Sequence, residues 1–164
     1  MSAVQRRSSS EANTMRVLVM VVTLCLAMGS ARAAEKAPDC SKVEGSQGAL
    51  NQCFAGEFSR ADAQLNAVWK SILSKYADQP VFLEKLKASQ RLWLQFRDAE
   101  VDAAFPVGKG DNPQVMYGSV YPMCVSAVQT RLTLQRIEQL KVWLDGTQEG
   151  DVCAGSIKNS VDLK

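Results

Sequence analysis

From Ser46 to Ala77 the chain runs without a proline, and its apolar residues fall three or four apart: Leu50, Phe54, Phe58, Ala61, Leu65, Trp69, Ile72 and Tyr76. That is the repeat of a helix with one buried face. So long an amphipathic helix has to find other surfaces to pack on, because helix stability in water comes mainly from burying such a face. Gly56 marks the place where it is expected to bend or break. Asp78-Gln79-Pro80 ends it, since proline cannot continue the hydrogen-bond ladder. Pro80 then opens a second helix in its first turn, with Phe82, Leu86, Gln90, Trp93, Phe96 and Arg97 on one side as far as about Phe105. Pro106, Gly108, Gly110, Asn112 and Pro113 make a loop that lasts to Ser119. Tyr121-Pro122 starts a third helix, with Val125, Val128, Leu132, Ile137, Leu140 and Leu144 apolar, and Gly146 stands where a cap belongs. No β alternation of useful length occurs. The expectation is an all-α, disulfide-stabilised antiparallel bundle of about three helices over residues 47–145, followed by a polar tail over 146–164.

The N-terminal segment sets the compartment. Arg6, Arg7 and Arg16 precede an apolar run from Val17 to Met28, and Ala31-Arg32-Ala33 follows as a small-residue exit. This is the pattern of a secretory signal peptide over residues 1–33, leaving 34–46 as a small, polar lead-in. The run falls short of the roughly 20 residues a stable membrane span needs. A twin-arginine signal is disfavoured because Ser8-Ser9-Ser10 follow Arg6-Arg7, and a lipid on Cys25 because bulky Leu24 precedes it. Cleavage removes Arg6, Arg7, Arg16, Arg32 and Glu11, which turns the formal charge of +2 slightly negative. Such a balance gives no footing for nucleic acid. It also removes Cys25 and leaves Cys40, Cys53, Cys124 and Cys153, an even set that reads as two disulfides with three possible pairings. An oxidising space follows: a bacterial periplasm or the outside of the cell.

Histidine is absent. The commonest general base and the commonest metal ligand are therefore missing. No Cys-x-x-Cys offers a metal site instead, and no cofactor motif is present. Asp62, Asn66 and Trp69 share a face of the first helix. Gln90, Trp93 and Arg97 share a face of the second, and Arg136 lies on the third beside Thr133 and Leu140. A guanidinium among tryptophans must be paired, so Asp62, Asn66, Gln90, Arg97 and Arg136 are expected to form an internal polar staple, Arg97 forking onto Asp62. An acid or base role for Asp62 lacks a second catalytic group beside it. Asp98, Glu100 and Asp102 read as a solvated helix surface rather than a glycosidase pair, which needs a defined separation across a sugar ring. The chain reads as a binding protein, not an enzyme. Its candidate contact residues are Tyr117, Ser119 and Tyr121, two aromatics and a hydroxyl in a loop. The bland reading of the two tyrosines is that they cover the end of the bundle.

The pieces Asp39-Cys40, Asn51-Gln52-Cys53, Ala61-Asp62-Ala63-Gln64-Leu65-Asn66, Gln90-Arg91-Leu92-Trp93 with Phe96-Arg97-Asp98-Ala99-Glu100, Gly118-Ser119 with Pro122-Met123, and Thr133 with Arg136 and Leu140 occur in this order. They resemble the lysozyme inhibitor LprI-like N-terminal domain family. The resemblance implies a small helical, disulfide-bonded periplasmic or surface domain, a Cys40–Cys53 bond, and a protein partner such as a lysozyme or another lytic glycosidase. Where relatives carry a second cysteine pair, this chain has Val101 and Val128. Cys124 and Cys153 remain, and they are expected to form a different second bridge. That bridge requires the tail to double straight back along the third helix; the alternatives are free thiols or a covalent dimer through Cys153.

Overall fold

A computed structural model describes residues 39–163. The signal-peptide segment, residues 1–33, lies outside the described residues. Asp39 caps a single 3-10 turn, Cys40–Lys42, by accepting from the Ser41 amide. Helix α1 then spans Gln47–Lys75, and the Ser46 hydroxyl accepts from the Ala49 amide at its start. It runs through Gly56 without a break and is about 44 Å long at 1.5 Å per residue. Helix α2 spans Pro80–Ala104 and carries its proline in the first turn. The connecting segment holds one short helix, α3, over Pro113–Tyr117, capped by the Asn112 side chain, and a 3-10 turn over Gly118–Val120. Helix α4 spans Tyr121–Asp145. Among the described residues no helix is long and apolar enough to cross a membrane.

The three long helices run up, down and up. Asn51 near the start of α1 donates to the Ser119 carbonyl just before α4. Tyr76, just past the end of α1, meets Trp143 at the end of α4, ring edge to face. The first and last helices are therefore parallel neighbours, with α2 antiparallel to both. Leu65, Ile72 and Tyr76 interlock with Leu86, Ile137, Leu140 and Leu163 in one core, and Ile72, Tyr76 and Ile137 are wholly buried. Packing is closest between α1 and α4, whereas α1 and α2 meet through long side chains rather than close backbones.

The tail is ordered, which its lack of periodicity did not foretell. It turns back on itself beyond α4, pairing Thr147 with Asn159. Leu163 inserts into the core, and the Lys75 ammonium donates to its carbonyl. The Lys158 amide donates to the Tyr76 hydroxyl, and its ammonium reaches the Lys75 carbonyl and Asp78 Oδ1 at 2.8 and 2.7 Å. That ammonium holds the Asp78 carboxyl below its usual value. The bond therefore persists through the ordinary carboxylate range and is lost only as pH falls through that lowered value.

Cys40 and Cys53 are bonded to each other. Cys124 and Cys153 are free, which corrects the expectation of a second bridge. The reason is the path of the tail. Cys124 lies in the first turn of α4, and the tail stays folded at the other end of that helix instead of running along it.

Candidate functional site

Two regions gather the residues singled out by sequence. The first is the end of the bundle that holds the disulfide. There Phe105, Tyr117 and Tyr121 form an aromatic cluster: Phe105 meets each tyrosine edge to face, and the tyrosines stack 5.8 Å apart. The Tyr117 hydroxyl donates to the Pro106 carbonyl at 2.8 Å. Both tyrosines are half-buried. They brace the loop, each stacked on the other and set edge to face with Phe105, and both stay partly exposed. Ser119 is exposed, and its carbonyl is held from below by Asn51, two residues before Cys53. What this frame displays is apolar: Val115 is 82% exposed, Met116 51% and Val120 39%. Sequence reasoning passed over these three because exposed aliphatics in a loop carry no motif. The available signal was their placement between loop punctuation and two tyrosines.

The second region lies between the helices. The Arg97 guanidinium is mostly buried, 5.5 Å from the ring centres of both Phe58 and Trp93. It bonds Asp98 at 3.3 Å through two nitrogens, while Nη1 stands 3.8 Å from Asp62 Oδ1, an ion pair too long for a hydrogen bond. Asp62 accepts instead from Asn66 at 3.0 Å. Gln90 takes no part in this set, which corrects the single staple expected. It accepts from Arg136 Nε at 3.0 Å, and Arg136 also reaches Ser89 and Gln139. Gln90 and Arg97 share a face but stand two turns apart, about 10 Å along the axis. Each meets a different neighbour. Two guanidiniums, Arg97 and Arg136, thus flank the same Trp93 ring, an arrangement that favours arginine over lysine at both positions.

Removing Arg97 tests the first half. Asp62 keeps 44% of its side-chain exposure, so water can solvate the carboxylate left behind. Arg97→Ala is expected to cost about 1–2 kcal/mol, chiefly lost packing and ring contacts, rather than the 3–5 of a fully buried pair. Urea denaturation of Arg97→Ala and Arg97→Lys measures this. A loss well above that range in the alanine variant shows a dry, stranded carboxylate instead.

Among the described residues no group of three or more histidine, cysteine, aspartate or glutamate side chains could hold a metal ion. Asp62 sits in the long pair and amide bond just described, and Asp98 binds Arg97. Both carboxylates thus flank the same guanidinium.

The model of the family described as lysozyme inhibitor LprI matches residues 40–140. An uncharacterized protein of Rhizobium meliloti (strain 1021), R02472, is 30% identical over 129 residues, covering 72% of this chain and 87% of its own length. No solved structure matches.

Proposed function

The chain belongs to the lysozyme inhibitor LprI family, and on that premise we propose that it is an exported inhibitor of lysozyme-type glycosidases that works by plugging the sugar cleft. The observation that carries this reading is the loop end. Val115, Met116 and Val120 project from a braced frame with Ser119 among them. Pre-organised loops bind well because little ordering entropy remains to be lost. The aliphatic tip supplies apolar area for the cleft, and the Ser119 hydroxyl is a donor for a catalytic carboxylate. The slightly negative charge left after loss of the leader gives little long-range steering to a basic lysozyme, so affinity rests on these local contacts.

The test is a turbidity assay of cell-wall lysis by a c-type lysozyme with the mature chain added. Wild type is expected to slow lysis. Val115→Asp with Met116→Asp is expected to weaken inhibition at least about tenfold, as burying two unpaired charges at an interface costs more than 1.4 kcal/mol. Melting should be unchanged, since both side chains are exposed. Unimpeded lysis with the wild-type chain overturns the reading.

A second reading, a non-catalytic envelope module for another protein partner, is favoured by Leu92 and Phe96. These lie one turn apart on α2 and are 66% and 52% exposed. Variants at these two positions separate the readings, because lysozyme inhibition through the loop end does not involve them.

A further inference from the structure

Between α1 and α2 the wide helix spacing leaves an open groove of about 390 Å³, within the range of small-molecule sites. One wall, from α1, carries Asp62, Asn66 and Trp69. The other, from α2, carries Lys87, Gln90 and Arg91. We propose that this groove binds a small acidic saccharide, a sugar ring bearing one carboxylate, and that it does so independently of the loop end.

The argument rests on the inventory of unspent groups. Lys87 and Arg91 are exposed, one turn apart on the same face, and neither enters an ion pair among the described residues. Two cations at that spacing suit a single carboxylate, and arginine offers it a two-pronged donor. Asp62 on the facing wall is already balanced by Arg97. The two free cations of α2 therefore set the sign of the groove. Asn66 uses one N–H on Asp62, which leaves its carbonyl and a second N–H for sugar hydroxyls. Gln90 gives its carbonyl to Arg136, and its amide nitrogen remains a donor. Trp69 is half-buried and contributes flat apolar lining. The C–H face of a pyranose, slightly positive, fits the electron-rich face of such a ring. An extended peptide fits less well. Both walls are helices whose backbone groups are internally bonded, so the main-chain pairing by which strands dock is not on offer.

Three probes dissect the site. N-acetylmuramic acid carries both the ring and the carboxylate, N-acetylglucosamine the ring alone, and lactate the carboxylate alone. The readout is the Trp69 indole N–H in the NMR spectrum of the mature chain, assigned with Trp69→Phe. Trp93 and Trp143 report that the fold is intact. N-acetylmuramic acid is expected to shift the Trp69 signal and to bind at least about tenfold more tightly than either part. Lys87→Ala with Arg91→Ala, both exposed, should reduce its affinity to that of N-acetylglucosamine and leave lysozyme inhibition as it was. A Trp69 signal unmoved by N-acetylmuramic acid overturns the proposal. So does equal binding of lactate, equal binding of N-acetylglucosamine, or full affinity in the double variant.

Discussion

Gly146→Ala is expected to lower stability by about 3 kcal/mol and to release the C-terminal tail. Gly146 has φ 74° and ψ −178°, a region that is essentially closed to residues with a Cβ and costs 1–3 kcal/mol to enter. A Cβ there would stand 2.8 Å from the Lys158 carbonyl oxygen and from Ser160 Cα, both backbone atoms that no side-chain rotation can move away. The tail must therefore lift. It would take with it Leu163, whose burial is worth about 1.5–3 kcal/mol, and the Lys158 bond to Tyr76. Gly118→Ala is the matched control. Its backbone has nearly the same angles, φ 72° and ψ −170°, but a Cβ meets nothing within 4 Å. It should show the strain alone, at about 1–2 kcal/mol. Denaturant melts give the stabilities, and amide exchange at Lys158 and Ser160 reports the tail. Equal losses in the two variants, with the tail still protected, contradict the close approach at Gly146.

Cys40→Ser with Cys53→Ser should cost about 3 kcal/mol, the chain-entropy value for a loop of this size. The bond ties the N-terminal 3-10 turn to α1, and Cys40 is buried at that end of the bundle. Reducing agent should reproduce the loss in wild type. Cys124→Ser and Cys153→Ser should each stay within about 0.5 kcal/mol, because neither thiol is bonded and neither side chain is fully buried. A large drop with Cys153→Ser, or a linked Cys124–Cys153 peptide, reverses the assignment of free thiols.

The helices were legible because their boundaries are written in single residues with one physical job each. Ser46 caps α1, Pro80 and Pro122 sit in first turns, and the three-to-four spacing of Leu65, Ile72 and Tyr76 defines the buried face. Gly146 was recognisable as a stop, but not for its reason. The usual left-handed cap needs only a turn, whereas this glycine makes room for another strand of backbone. The tail was illegible because its order depends on two anchors, Lys158 and Leu163, set among residues without a repeat. In the candidate site, face-sharing grouped Gln90 with Arg97 correctly around the helix but said nothing of height along it. The pairing of Gln90 with Arg136 needed the third helix in place. Tyr117 and Tyr121 were found by composition, yet their faces turn to each other and to Phe105, and only coordinates show which neighbours an aromatic has chosen.

The order of the helices along the chain has a consequence for how the protein comes into being. Helix α4 is the last to be synthesised, yet it supplies Ile137 and Leu140 to the core and is the closest partner of α1. A growing chain emerges N-terminus first. Helices α1 and α2 therefore appear without the surface that buries them, and their mutual approach is too loose to replace it. Leu163, from the tail beyond α4, closes the same core. Until then the chain gains little by collapsing. Completion of the core thus waits on contacts between elements far apart in sequence, the kind of pairing that slows folding.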